Sequence, residues 1–144
     1  MDDSVSVELL TSVTADDAAA LARILAQLST TATFDLDRIS EILDHDATEL
    51  LVARIDGQIV GMATLVTFPL PSGLRGHVED VVVDESMRGQ GIARRLLQTI
   101  TALASERGLR TLDLTSRPSR ESALRLYESV GFKLRDTNTL RYLP

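Results

Sequence analysis

The sequence predicts one α/β domain over residues 1–144, with a mixed, mostly antiparallel sheet and helices on both faces. Three observations carry this. An Asp56-Gly57 pair separates two apolar, β-branched runs, ELLVARI and QIVGMATLVTF, which is the signature of a hairpin. The strand-like VVVD of residues 81–84 passes through a glycine-bearing turn into an amphipathic helix. A further strand and a second helical pattern then complete a crossover unit, which places a parallel pairing beside the hairpins.

Val5, Val7 and Leu9 alternate with Ser6 and Glu8 at the period of a half-buried strand. Thr14 precedes Asp16 and Asp17, and Leu21, Ile24, Leu25 and Leu28 follow at helical spacing, so a capped helix is expected over residues 15–28. A weaker helical pattern from Asp35 to His45 puts Leu36, Ile39, Ile42 and Leu43 on one side. After the hairpin, Pro69, Pro71, Gly73 and Gly76 predict a loop, and HVEDVVVD predicts the next strand. The helix opened by Gly89 and Gly91 carries Ile92, Leu96, Leu97 and Ile100 and should close at Arg107-Gly108. Leu112 and Leu114 alternate with Thr111, Asp113 and Thr115 as another strand. Ser119 then caps a helix with Ala123, Leu126, Tyr127 and Val130, closed by Gly131, and Phe132 to Tyr142 reads as a last strand.

Composition narrows the chemistry. Lys and Arg number 15 against 21 Asp and Glu, and the net charge of −6 argues against a general nucleic-acid or anionic-membrane surface. With no cysteine, thiolate catalysis, disulfides and a cysteine-based zinc site are excluded, which fits a reducing, cytoplasmic setting. His45 and His77 lack metal-ligand spacing, so no metal is expected. No apolar run is long enough for a bilayer, and the first 30 residues lack a signal-peptide pattern.

An anion site is nevertheless expected locally. The first N–H groups of a helix have no intrahelical partner and carry the positive end of its dipole, so the glycine turn before Ile92 suits a phosphate or pyrophosphate. A P-loop is excluded because neither lysine nor Ser/Thr follows Gly91. A dinucleotide fingerprint fails at Arg94, where its third glycine would stand. Serine-histidine hydrolysis fails for want of a G-x-S-x-G turn.

Arg88-Gly89-Gln90-Gly91-Ile92-Ala93 resembles the R/Q-x-x-G-x-G/A loop of the GNAT superfamily of acetyl-CoA-dependent N-acyltransferases. ALRLYESVGF resembles that superfamily's second signature, a helix with a tyrosine shortly before Gly-Phe, and the resemblance spans roughly residues 49 to 135. GHVEDVVVDESMRGQG is most similar to glucosamine-6-phosphate N-acetyltransferases, whereas residues 1–48 match no particular subfamily. One departure is Arg120, where many members have asparagine seven residues before the tyrosine.

The resemblance implies a parallel strand pair splayed by a bulge, with the backbone of Val81, Val82 and Val83 pairing with the amide arm of coenzyme A. It implies that Gly89, Gln90, Gly91, Ile92 and Ala93 hold the pyrophosphate, with added charge from Arg88 and Arg94. The implied reaction is direct attack of an amine, of a small molecule first of all, on the thioester of acetyl-CoA. Tyr127 would protonate the departing thiolate, a phenol with a pKa near ~10 being protonated at neutral pH and close enough to a thiol pKa near ~8.5 to serve as donor. Glu79 is the first choice of base, directly or through a water, with Asp80 and His77 as competitors that can instead contact substrate. Adjacent strand residues Glu79 and Asp80 point to opposite faces unless a bulge intervenes. Alternatives are an acyl-CoA-binding sensor without turnover and acetylation of a protein amine. Family members often dimerise through a sheet edge or the C-terminal strand, so a homodimer is an option the resemblance leaves open.

Overall fold

The computed structural model describes residues 4–116 and 121–144. Its elements are β1 (Val5–Leu9), α1 (Ala15–Leu28), α2 (Leu36–Leu43), β2 (Thr48–Ile55), β3 (Gln58–Leu70), β4 (Gly73–Val83), a 3-10 turn (Glu85–Met87), α3 (Ile92–Glu106), β5 (Thr111–Asp113) and α4 (Glu121–Ser129). The five strands lie in sequence order in one sheet, antiparallel except for the parallel β4–β5 pair. The mixed sheet expected from the sequence is therefore formed.

Local chemistry explains most boundaries. Thr14 and Asp17 form a reciprocal cap at α1: the Asp17 N–H donates to Thr14 Oγ1 at 3.1 Å and the Thr14 N–H donates to Asp17 Oδ2 at 3.3 Å. Asp56 and Gly57 adopt φ of 51° and 81°, as the tight β2–β3 turn requires. Gly108, at φ 68°, follows the last turn of α3, and its N–H donates to Ser105 O.

Alternating strand positions split the interior in two. On one face Leu51, Ala53, Ala63, Leu65 and Val78 meet Ile92, Leu96, Leu97 and Ile100 of α3 and Tyr127 of α4. On the other, Leu50, Val52, Ile59, Met62 and Val82 meet Ala20, Leu21 and Ile24 of α1, with Ile39, Ile42 and Leu43 of α2 at its margin. An ionic cluster ties α1 to the sheet: Asp17 accepts from Arg54 Nη1 at 2.9 Å, and Arg54 also pairs with Glu8. The hydrogen bond from Arg54 chiefly holds the Asp17 carboxyl below its ordinary value, against the opposing effect of burial.

Two expectations are corrected. Residues 69–76 do not form a loop: Pro69 pairs with Leu74 and Gly76 with Thr67, leaving Pro71 and Ser72 as the turn. Pro69 is tolerated because β2 stops at the Thr48–Val66 pair, so β3 has one neighbour there. Gly76 serves packing, since a Cβ on it would stand 2.7 Å from Leu109 Cδ1. Secondly, Phe132 to Tyr142 forms no strand. A strand needs a neighbour to complete its hydrogen bonds, and among the described residues this segment pairs with none, with Leu134 and Leu140 80% and 91% exposed. The expected Ser119 cap and the departure at Arg120 lie outside the described residues.

Candidate functional site

The site is organised by a defect in β4. Thr64 of β3 pairs with Glu79, and Met62 pairs with Val82, so Ala63 alone stands opposite Asp80 and Val81. Asp80 takes φ 53°, which absorbs the extra residue. Regular pleating would put Val82 on the same side as Val78. Instead Val82 packs with α1's core, whereas Val78, Val81 and Val83 pack on the α3 side. The bulge also leaves Glu79 and Asp80 both exposed, so simple strand alternation does not apply to them.

The parallel ladder ends just below this defect. Among the described residues, β4 and β5 pair at Arg75–Thr111, Gly76–Leu112 and His77–Asp113. Among the described residues, no strand pairs with the β5-side edge of β4 from Val78 to Val83, an edge of the kind to which an extended ligand can add. Arg75 braces the paired part, donating to Thr111 Oγ1 at 2.9 Å and to Asp113 Oδ2 at 3.1 Å.

Above the open edge lies the glycine loop. Gly89 and Gly91 adopt φ of 83° and 77°, which L side chains rarely do, and a Cβ at either would meet nothing within 4 Å. Their requirement is therefore conformational, and space remains over both. Gly91 precedes α3 without a side-chain cap, and the Arg95 N–H donates to Gly91 O at 3.1 Å. The N–H groups of Ile92, Ala93 and Arg94 thus precede the first helical bond, which is the donor set an anion needs. Arg88 is exposed beside them, its Nε 3.4 Å from Val83 O, and Arg94 is half-buried.

The start of this loop is firmly held. Asp84, 7% exposed, extends the sheet by donating its N–H to Val60 O at 2.8 Å. Its carboxylate accepts from Arg23 Nε and Nη2 at 3.2 and 3.1 Å, from Gln27 Nε2 at 3.2 Å and from the Ser86 N–H at 3.3 Å. Burial pushes the Asp84 carboxyl up, but hydrogen bonds from Gln27, Ser86 and Arg23 outweigh it and hold the group below its ordinary value. From beneath, Gly61 of β3 admits α3 closely: a Cβ there would stand 3.3 Å from Ile92 Cγ2 and Leu96 Cδ1.

Two groups of candidate side chains are brought together. His77 and Glu79 share one face of β4, and His77 Nε2 lies 3.1 Å from Glu79 Oε1. Tyr127, 9% exposed, packs edge-on to Phe132 with ring centres 6.3 Å apart. A cleft of about 1020 Å³ beside the outer edge of β5 has His77 and Tyr127 in its walls, along with Leu112, Leu114 and the C-terminal segment. Neither Glu79 nor the loop of residues 88–91 lines it. Among the described residues, no group of three or more His, Asp or Glu side chains is placed to hold a metal, and no helix is long and apolar enough to cross a membrane.

Sequence reasoning missed Arg23, Gln27, Asp84 and Gly61 as parts of the site. Gly61 had a signal, being an isolated glycine inside a strand pattern. Arg23 and Gln27 had none, since polar residues four apart on a helix usually form its solvated face.

Comparison with known proteins bears on this geometry. A family model described as the acetyltransferase (GNAT) family matches residues 18–132. A glucosamine 6-phosphate N-acetyltransferase of Trypanosoma brucei brucei is 36% identical over 89 residues, covering 60% of this chain and 58% of the relative. An uncharacterised N-acetyltransferase of Mycobacterium bovis is 31% identical over 109 residues, covering 72% of this chain and 65% of the relative. The chain thus spans about three fifths of the length of the curated relatives it matches. A crystal structure named as a transcriptional regulator from Bacillus halodurans superposes with a TM-score of 0.84 at 27% identity, covering 96% of this chain and 99% of the other.

Proposed function

Because the chain belongs to the acetyltransferase (GNAT) family, we propose that it is an N-acetyltransferase that binds acetyl-CoA along β4 and transfers the acetyl group directly to an amine. The observation that carries this reading is the bulged, half-paired β4 running into two left-handed glycines at the uncapped start of α3. An amide-bearing arm can add to the open edge at Val81, Val82 and Val83, while the pyrophosphate meets the N–H groups of Gly89 through Ala93. Arg88 and Arg94 add positive charge at the same place.

Transfer requires a neutral amine whose nitrogen attacks the thioester carbonyl carbon. The carbon–sulfur bond then breaks and the thiolate departs. In this reading Glu79 takes the proton lost by the amine, directly or through a water, and the His77 contact at 3.1 Å orients its carboxylate. Asp80 and His77 stay within reach of an acceptor as binding groups, Asp80 because the bulge turns it outward. Tyr127 gives its phenolic proton to the sulfur as the carbon–sulfur bond breaks; a phenol of pKa near ~10 keeps that proton at neutral pH, its transfer to a thiolate whose thiol has a pKa near ~8.5 is mildly uphill, and the phenolate regains a proton from solvent. Its edge-on contact with Phe132 fixes the ring.

A small-molecule amine is the acceptor class we favour, supported by the name of the trypanosomal relative. The competing reading, an acyl-CoA sensor without turnover, draws on the regulator name of the bacillary structure. Thiol release from acetyl-CoA across a panel of amino sugars, polyamines and peptide amines separates them. Amine-stimulated release supports the enzyme, and tight acetyl-CoA binding without release for any amine supports the sensor.

The proposal extends to a cytoplasmic homodimer. β5 is a three-residue edge strand beside the large cleft, and residues 132–144 carry exposed Leu134, Leu140, Tyr142 and Leu143 with no strand partner among the described residues. A second copy would give those side chains a partner surface.

A further inference from the structure

We propose that Arg23 and Gln27 of α1 are positioning residues for the coenzyme loop, holding residues 84–91 in the shape that receives acetyl-CoA; this rests on the coenzyme reading above. The two residues lie four apart, on one face of α1, and reach across 57 to 61 positions of sequence to the same carboxylate. Arg23 gives two hydrogen bonds to one oxygen of Asp84, and Gln27 gives one to the other. The Gln27 amide is used at both ends, because its Oε1 accepts the Glu85 N–H at 2.8 Å. α1 therefore fixes both the last residue that extends β4 and the first backbone donor of the loop.

The pattern of partners separates this role from a general stapling of α1 to the sheet. α1 is seated by Ala20, Leu21 and Ile24, which are buried against β2, β3 and Val82. Arg23 contributes little to that burial, with its side chain 52% exposed. The side chains of Arg23 and Gln27 bond to Asp84 and Glu85. Beyond Met87 the loop is exposed through Gly91 and contains two glycines, so it has few contacts of its own to define its path. A buried carboxylate with four donors is a stiff anchor for such a segment. Because Arg23 is paired with Asp84, its effect on the coenzyme passes through loop geometry.

The test uses the full chain and the variants Gln27→Ala, Arg23→Ala and Arg23→Lys, compared with wild type. Calorimetric titration of acetyl-CoA should show Kd raised about tenfold in both alanine variants, the scale on which a supporting shell acts, with Arg23→Lys restoring most of it. KM for acetyl-CoA should rise in parallel, with a smaller change in kcat and in the KM of the amine. Without coenzyme, amide exchange at residues 85–91 should quicken while the interior of β3 keeps its protection. Wild-type binding with Kd and loop exchange unaltered in both alanine variants overturns the inference. So does a rise in Kd accompanied by equal loss of protection throughout the sheet, which marks general destabilisation. Failure of the wild-type chain to bind acetyl-CoA overturns the coenzyme reading itself and this inference with it.

Discussion

Gly61 of β3 lies directly against Ile92, the first residue of α3: a Cβ on the glycine would stand 3.3 Å from Ile92 Cγ2. This contact sets how closely the anion-binding end of the helix approaches the strands that lead into it. Gly61→Val adds branched bulk that Ile92 and Leu96 must yield to, and overpacking of that kind costs about 1–3 kcal/mol. The expected outcome is a lowered melting temperature together with weakened acetyl-CoA binding, while the KM of the amine changes less. Thermal melts and calorimetric titration check it, and unaltered coenzyme affinity removes Gly61 from the site.

Gly91→Asp should weaken acetyl-CoA binding at least about tenfold, because it places a carboxylate at the positive end of α3 where a pyrophosphate is expected. Gly91→Ala separates charge from conformation. Holding φ at 77° costs a side-chain-bearing residue about 1–2 kcal/mol, so alanine should cause a smaller loss of binding. Equal effects of the two variants in titration would contradict an electrostatic contribution.

Tyr127→Phe retains the ring and its packing on Phe132 while deleting the phenolic proton. Turnover should fall about 10²-fold, the lower range for loss of a general acid, with coenzyme Kd nearly unchanged. Thiol-release kinetics with saturating amine provide the measurement, and wild-type turnover would exclude the residue from the proton transfer.

Acid stability should depend on Asp17 and Asp84. Both carboxyls lie below their ordinary value of 3.8 in the folded chain, Asp17 chiefly through Arg54 and Asp84 through Gln27, Ser86 and Arg23 against its burial. A depressed folded value means that the unfolded chain binds protons first as pH falls, so each group's contribution is complete above 3.8 and is lost as pH drops through the folded value. Chemical denaturation between pH 6 and pH 2.5, about the range spanning that loss, should give a shallower acid limb for Asp17→Asn than for wild type. An identical slope would show that the Arg54 pairing has no linkage to folding.

Removal of residues 133–144 tests the dimer. Sedimentation equilibrium should report a dimer for the full chain and a monomer for the truncated one, since the exposed leucines and Tyr142 of that segment are the surface assigned to a second copy. A monomeric full chain refutes the assignment.

Legibility in the sequence followed backbone chemistry. Asp56-Gly57, the Thr14 cap, and Gly89 and Gly91 were readable because each records a local conformational demand in a residue type. The bulge at Asp80 left no such mark, since EDVVV continues a strand pattern through it and aspartate merely tolerates the left-handed region. Gly76 misled in the opposite sense: a residue chosen for clearance from Leu109 looks the same in sequence as one chosen for a turn. Phe132 to Tyr142 has the composition of a strand, but composition does not supply the neighbouring edge. The Arg23–Asp84–Gln27 anchor depends on residues far apart in sequence, and no periodicity encodes such a meeting.

The single extra residue in β4 has a consequence for how a two-substrate reaction can be aligned. On its N-terminal side, His77 and Glu79 turn toward one half-space; past Asp80 the sense of the pleat is inverted, and the three valines present the opposite assignment. The proposed proton acceptor and the proposed donor track are thus separated by one residue of a continuous backbone, with no hinge between them. Deleting Asp80 would restore uniform pleating and leave Val81, Val82 and Val83 on the faces they now occupy, since Ala63 would pair with Val81 and Met62 with Val82; suppressing the bulge while keeping Asp80 would instead exchange the inward and outward sets of everything after it. The spatial relation between acceptor chemistry and donor chemistry is in that sense stored as a phase shift within one strand.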